Sequence, residues 1–209
     1  MRKDTEKLPD SPLKYSQPAI FMDADGTLWP DKGPGSIFQD IDLVGLASQI
    51  RNLCYVTSIE RVFVVSNQTC VARGLCTLNE LRERIREIEV SVRKLGVSFD
   101  FRYCVHHPNA LDALYRVKCD CRKPSPKIIM DISDKFSIDL RSSIFVGDRI
   151  TDAQSASYAG VKHIFLIHNE KMFESNIYSL NPDYDHRLIS FRITPSITYL
   201  VDSIRMSRK

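Results

Sequence analysis

Carboxylates and other reactive side chains follow three apolar runs of the sequence, at the points where those runs end. The runs, residues 19–22, 61–65 and 143–146, have the length and composition of buried β-strands. In an open parallel sheet the carboxyl ends of the strands line one crevice, where ligands bind. We therefore expect these side chains to converge, together with a lysine that precedes a predicted helix. In chain order the candidates are Asp23, Asp25, Ser66, Asn67, Lys123, Asp148 and Asp152.

These residue types suit phosphate chemistry. Clustered carboxylates attract a hard cation, and Mg²⁺, which takes a few carboxylates and keeps several waters, is the expected one. A lysine, a serine and backbone amides suit an oxyanion such as phosphate. An aspartate can attack phosphorus, and a second carboxyl two residues on can protonate the leaving alcohol and then activate water. A lone Asp-x-Asp is more often a turn or helix cap, but four such segments in order favour a functional site.

Strands and helices alternate along the predicted chain. The other predicted strands are 101–105, 163–167 and 188–193, and the predicted helices are about 40–56, 77–95, 125–138, 150–159 and 195–206. This alternation indicates an α/β fold, a three-layer Rossmann-like sandwich with a central parallel sheet. We expect residues 1–17 to be a polar leader and residues 18–209 to be a single domain. No large cap domain is expected, because 28–60 and 67–122 are already occupied by predicted elements and a loop at about 104–121.

The composition excludes several classes of protein. A chain of 209 residues with 43% hydrophobic residues can bury a sizeable core. Its net charge of +3 is too even a balance to indicate nucleic acid or a membrane surface as the main partner. Its apolar runs are far shorter than the roughly 20 residues of a membrane-spanning helix. Residues 1–14 are charged and lack the apolar segment of a secretory signal, so we expect a cytoplasmic protein. We also expect a monomer.

Cysteine and histidine side chains form a second candidate site. One residue separates Cys104 from His106, and one residue separates Cys119 from Cys121. Three thiols and one imidazole are a full tetrahedral set for Zn²⁺, which predicts a structural zinc with no open position. The alternative is three ordinary cytosolic cysteines and a surface histidine. We choose His106 over the neighbouring His107, because Cys-x-His places both side chains on one side of an extended strand end.

The segments that carry the carboxylates resemble the motifs of the haloacid dehalogenase (HAD) superfamily of phosphatases. In motif order the matching positions are 23–28, Ser66, Lys123 and 147–152. The resemblance implies that Asp23 is the nucleophile, that Asp25 is the general acid/base, and that Ser66 and Lys123 bind the phosphoryl group. It also implies a Mg²⁺ site formed by Asp23, Asp148 and the main-chain carbonyl of Asp25, with Asp152 behind these ligands.

The cysteine and histidine segments narrow this resemblance. Segments 104–108 and 119–124 resemble the zinc loop of D-glycero-D-manno-heptose-1,7-bisphosphate 7-phosphatases, and the resemblance extends over about residues 18–168. It implies a small phosphorylated sugar as the partner and removal of the 7-phosphate of that heptose in nucleotide-heptose biosynthesis. Asn67 is a further candidate for phosphate binding, and Arg122 either contacts a substrate phosphate or is a solvated charge. The alternative is a histidinol-phosphate phosphatase or another small sugar-phosphate phosphatase.

Some residues depart from the pattern of that family. Ala24 stands where an arginine is common, Thr69-Cys70 replaces Ser-Gly, and Lys127-Ile128 replaces Gly-Met. Cys70 and Lys127 lie beside the phosphate-binding segments, so they bear on the substrate rather than on the chemistry. Trp29, in the segment after the first motif, either shields the site or belongs to the core.

Two functions of other kinds remain open at this point. One is phosphoryl transfer to an acceptor other than water. The other is a catalytically silent protein that uses the zinc loop to bind a partner. A silent relative should have lost part of its catalytic set, whereas Asp23, Asp25 and Lys123 are all present here.

Overall fold

A computed structural model describes residues 17–167, 190–194 and 196–207. The strands are β1 (Ile20–Met22), β2 (Val62–Asn67), β3 (Asp100–Cys104), β4 (Ile144–Gly147), β5 (His163–Ile167) and β6 (Ser190–Thr194). The helices are α1 (Leu43–Thr57), α2 (Leu78–Lys94), α3 (Lys127–Phe136), α4 (Ile150–Ala159) and α5 (Ile197–Ser207), with a short 3₁₀ turn at Ser36–Phe38. All strand pairs are parallel, and the sheet order is β3-β2-β1-β4-β5-β6.

Helices cover both faces of this sheet because successive strand side chains point to opposite sides. Ile20 and Met22 of β1 belong to a core that contains residues of α1, α2 and α5. Phe21, between them, belongs to a second core formed with α3 and α4. Strands buried on both faces must be apolar throughout, which explains the uninterrupted runs in the sequence. The predicted three-layer α/β sandwich is confirmed.

The strand order places the carboxylate segments next to each other. From β1 the chain winds outward to β3, and from β4 it winds in the other direction to β6, so the winding reverses between β1 and β4. These two strands are direct neighbours, with Met22 opposite Val146. A reversal of this kind opens a crevice at the carboxyl ends of the strands. Asp23 and Asp148 follow the two strands immediately and therefore stand on either side of it.

The predicted elements agree with the structure to within a few residues. Helix α2 begins with the expected capping box, in which Thr77 and Glu80 bond each other's backbone N–H groups. The predicted leader, residues 1–17, lies outside the described residues except for Gln17. The first two residues of the predicted strand at 188–193 also lie outside them. Within the described ranges no helix is long and apolar enough to cross a membrane.

Candidate active site and metal centre

A cavity of about 560 Å³ lies at the carboxyl ends of the strands. Its lining includes every residue that the sequence assigned to catalysis, phosphate binding or magnesium. These residues are Asp23, Asp25, Ser66, Asn67, Arg122, Lys123, Asp148 and Asp152. Residues separated by up to 129 positions in the chain therefore meet at one place. The four predicted zinc ligands form a separate cluster.

Lys123 is the buried cation of this cavity. Its Nζ lies 2.5 Å from Asp23 Oδ1 and 2.7 Å from Asp152 Oδ1, and it donates a hydrogen bond of 2.7 Å to the carbonyl of Val65. Burial alone would lower the pKa of Lys123, but the charges of Asp152 and Asp23 outweigh it and the pKa is raised. The ammonium group therefore stays charged and is held by three oxygens.

Three carboxylates gather beside Lys123. Asp23, Asp148 and Asp152 each offer an oxygen, and these oxygens lie within 4.8 Å of one another. The pKa of Asp23 is raised to about 8 and that of Asp148 to about 6, mainly by burial and in part by the negative charge of Asp152. Asp148 Oδ1 is buried with no hydrogen-bond partner among the described residues. Three carboxylates against one ammonium, with an unpartnered oxygen between them, are a donor set that fits a divalent cation.

Asp152 has a different environment from the other two carboxylates. Its Oδ2 accepts the backbone N–H groups of Asp148 and Arg149 at 3.2 and 3.0 Å, while its Oδ1 faces Lys123. The side chain is therefore engaged by protein donors and lies at the first turn of α4. This position agrees with the expectation that Asp152 stands behind the metal ligands, which stays a prediction.

Gly26 permits the close approach of the first-motif turn to Asp148. Its φ is +88°, a left-handed conformation that favours glycine. A Cβ atom there would lie 2.2 Å from Asp148 Oδ2. Any side chain at position 26 would therefore displace this carboxylate.

Asp25 is held apart from the three clustered carboxylates. Its Oδ1 accepts a hydrogen bond of 2.7 Å from the indole Nε1 of Trp29, and its Oδ2 accepts one of 2.9 Å from Gln68 Nε2. Burial raises its pKa, although these two donors oppose that shift. Trp29 itself is buried with its ring stacked on Phe101, so it belongs to the core and also touches the site. Assignment of the Asp25 carbonyl to magnesium stays a prediction.

Asn67 faces the backbone of Lys123. Its Oδ1 accepts the Lys123 N–H at 3.0 Å, and its Nδ2 donates to the Lys123 carbonyl at 3.2 Å. The side chain thus joins the end of β2 to the loop before α3 across 56 positions of sequence. This arrangement holds the backbone of Lys123, and the contact of Asn67 to phosphate stays a prediction.

The predicted zinc ligands converge at the end of β3. The Sγ of Cys104 lies 3.5 Å from that of Cys119 and 3.6 Å from His106 Nδ1, which in turn lies 3.3 Å from the Sγ of Cys121. A tetrahedron with zinc–sulfur bonds of about 2.3 Å has edges of about 3.8 Å, close to these separations. The Sγ atoms of Cys104 and Cys121 are nearer, at 2.7 Å. His107 bonds the N–H of Asn109 instead, so the cluster contains His106.

Several other cavity residues were given no catalytic or binding role by the sequence. They are Asp31, Gly33, Pro34, Gly35, Gln68, Thr69, Arg73, Arg149, Ile150 and Thr151. Arg149 could have been found from its place in the fourth motif, and it pairs with Asp31 at 2.5 Å. Cys70 and Lys127, the departures expected to bear on the substrate, are not among the lining residues. Among the described non-glycine residues only Ser58 and Ser137 have positive φ, so Cys70 adopts an ordinary backbone conformation.

Known proteins are similar to this chain in sequence. Residues 120–184 match the HAD-hydrolase-like family model. The chain is 32% identical over 159 residues to the D-glycero-beta-D-manno-heptose-1,7-bisphosphate 7-phosphatase of Photorhabdus laumondii, covering 74% of this chain and 82% of that protein. It is 33% identical over 161 residues to the enzyme of the same name from Escherichia coli K12, covering 76% and 83%.

A solved structure gives the same fold. The D,D-heptose 1,7-bisphosphate phosphatase of B. bronchiseptica, complexed with magnesium and phosphate, superposes with a TM-score of 0.68 at 22% identity and covers 91% of this chain and 99% of that one. The fold and the sequence matches define a HAD-like hydrolase. Within that class, the chain belongs to the family of heptose-bisphosphate phosphatases. The predicted family is confirmed.

Proposed function

We propose that the chain hydrolyses phosphate monoesters, with Asp23 as the nucleophile and Asp25 as the general acid/base. The observation that supports this most directly is that two carboxylates of one cavity have different surroundings. Asp23 contacts the buried ammonium of Lys123, whose charge opposes the rise in the pKa of Asp23 that burial causes and so favours the nucleophilic carboxylate. Asp25 accepts hydrogen bonds from two neutral donors, Trp29 and Gln68, and burial raises its pKa, which favours the form that can donate a proton.

The reaction then runs in two steps. An Asp23 oxygen attacks phosphorus, the bond from phosphorus to the ester oxygen breaks, and the leaving alkoxide takes the proton of Asp25. Asp25, now ionised, accepts a proton from water as that water attacks the aspartyl phosphate. The product is inorganic phosphate, and Asp23 and Asp25 return to their starting states. Ser66 donates its hydroxyl hydrogen to a phosphoryl oxygen, and the positive charge of Lys123 attracts the phosphoryl group.

Magnesium would be held by Asp23, Asp148 and the main-chain carbonyl of Asp25. The unpartnered Oδ1 of Asp148 and the excess of carboxylates over buried cations support this assignment. When bound, the cation supplies positive charge that offsets the repulsion between the phosphate and the carboxylates. The raised pKa of Asp23 supports this assignment, because a buried carboxylate with no metal cation nearby retains part of its proton near neutral pH.

We also propose that Cys104, His106, Cys119 and Cys121 hold a structural zinc. The zinc would support the cavity, because the loop that it would close leads directly into a cavity residue. Arg122, directly after the last ligand, donates from Nη1 to the carbonyl of His106 at 3.2 Å. Lys123 is the next residue, so a loop that is held in one conformation also holds the backbone of this cavity lysine in place.

The substrate we propose is a heptose 1,7-bisphosphate, cleaved at the 7-phosphate. The names of the relatives support this choice, and so does the cavity, which has room for a sugar phosphate. Arg73 and Arg122 also line the cavity and would meet the phosphate that is not cleaved. Their guanidinium groups therefore favour a bisphosphate over a monophosphate of the same sugar.

The test is phosphate release from a panel of heptose bisphosphate anomers, other sugar phosphates and histidinol phosphate. We expect the heptose bisphosphate to give the highest kcat/KM, EDTA to abolish the activity and Mg²⁺ to restore it. Asp23→Asn should lower kcat by at least a thousandfold with the fold retained by circular dichroism. A higher kcat/KM for histidinol phosphate would overturn the proposed substrate assignment. More than a tenth of wild-type activity in Asp23→Asn would overturn the proposed mechanism.

A further inference from the structure

Both oxygens of Asp25 accept hydrogen bonds from buried side chains that belong to different segments. Trp29 donates from four residues downstream, and Gln68 donates from the end of β2, 43 positions away. Trp29 is 4% exposed and Gln68 is 2% exposed, so both donors are inside the protein. An exposed aspartate can rotate about two side-chain torsions, whereas this carboxyl is held on two sides.

The turn after the first motif carries the indole to this position. The Gly26 N–H donates to the Trp29 carbonyl at 2.8 Å, and the Leu28 N–H donates to the Ala24 carbonyl at 2.8 Å, which folds residues 24–29 back on themselves. The Trp29 ring then lies nearly parallel to that of Phe101 on β3, with centroids 6.3 Å apart and planes inclined by 19°. The edge of the sheet thereby fixes the ring whose N–H meets Asp25.

Gln68 connects Asp25 to a second residue of the site. Its single Nε2 donates to Asp25 Oδ2 and to Ser66 Oγ, both at 2.9 Å. The amide nitrogen of Gln68 is the donor in both bonds, so its NH₂ group, and not its oxygen, faces the Asp25 carboxyl. Because the Ser66 oxygen accepts from Gln68, its own hydrogen is free to point to a phosphoryl oxygen. One carboxamide thus orients the groups proposed to meet both ends of the scissile bond.

We infer that Trp29 and Gln68 are positioning residues for proton transfer by Asp25. This inference rests on the proposed phosphomonoester hydrolysis. The two donors hold the carboxyl away from the carboxylates of Asp23, Asp148 and Asp152, so that Asp25 meets the leaving oxygen and not the cation. General acid catalysis requires the acid within about 3 Å of the oxygen it protonates, and a small displacement removes most of its contribution.

The test compares two leaving groups in wild type and in Trp29→Phe, which removes the N–H donor and keeps an aromatic ring against Phe101. p-Nitrophenyl phosphate releases a phenolate that needs little protonation, whereas an alkyl phosphate, the best substrate of the panel above, releases an alkoxide that needs a proton. The value of kcat/KM reports the steps up to departure of the leaving group. We expect the ratio of aryl to alkyl kcat/KM to rise at least tenfold in Trp29→Phe, since a general acid contributes about 10²–10⁴.

Two further variants separate positioning from general damage. Phe136→Leu loosens aromatic packing against Phe63 in the other core, outside the cavity, and should leave the ratio at its wild-type value even if both rates fall. Gln68→Met should lower both rates through Ser66 and should also raise the ratio, which tests the inference independently if Trp29→Phe does not fold. A ratio within threefold of wild type in both Trp29→Phe and Gln68→Met would overturn the inference while leaving the hydrolysis intact. Wild type inactive on both substrates would overturn the proposed function and this inference with it.

Discussion

Asn67 provides a direct test of how the cavity is assembled. Its carboxamide makes two hydrogen bonds to the backbone of Lys123, at 3.0 and 3.2 Å. Asn67→Ala removes both partners at once and leaves a backbone N–H and C=O of the lysine without them. At about 0.5–1.5 kcal/mol for each bond, the free energy of unfolding should fall by about 1–3 kcal/mol. For a chain of this size that corresponds to a decrease in melting temperature of roughly 2–12 °C.

The same substitution should change kcat more than phosphate affinity. Loss of the two bonds lets the Lys123 backbone move, and a displacement of about 1 Å near a reacting group can cost on the order of a hundredfold in rate. The assay is a denaturant melt beside steady-state kinetics and inhibition by inorganic phosphate. Asn109→Ala, an exposed asparagine whose side chain is outside the cavity, is the matched control. Wild-type stability in Asn67→Ala combined with weakened phosphate inhibition would refute this reasoning and support Asn67 as a direct phosphate ligand.

Two further predictions concern the metal sites. The pKa of Asp148 is raised to about 6, mainly by burial. Between about pH 4 and 6 the native state therefore keeps a proton that the unfolded state has lost, and the free energy of unfolding falls as the pH rises through this range. Without added metal, Asp148→Asn should therefore be more stable than wild type at pH 7.5, by up to about 3 kcal/mol in denaturant melts, with the gain vanishing near pH 4. A gain independent of pH would contradict the charge argument. The Cys119→Ser variant should contain no zinc and should have a lower melting temperature than wild type. Its kcat/KM should decrease at least tenfold, because the loop before Lys123 loosens. The control variant Cys54→Ser should have the zinc content, melting temperature and kcat/KM of wild type. Less than about a quarter-equivalent of zinc in wild type by metal analysis would contradict the site.

Local pattern was sufficient to predict the elements and the members of the site. Apolar runs such as 19–22 can be stable only as strands buried on both faces, and a reactive residue directly after such a run must stand at the sheet edge. For the same reason Asp23 and Asp148 could be placed together before the strand order was known. The short spacing of Cys104 and His106, repeated at Cys119 and Cys121, likewise indicated one cluster, which the structure brings together.

The directions of the side chains depended on contacts between distant segments. Asn67 turns to the backbone of Lys123, Gln68 turns to Asp25, and Asp152 turns to Lys123. None of these pairings has a signature in spacing, because each depends on how the ends of neighbouring strands and the loop before α3 pack against each other. Residue types and spacing therefore determined which groups this protein brings together. Tertiary packing decided which of them face the cavity and which hold the others, since a buried polar group bonds whatever partner the fold places within about 3 Å.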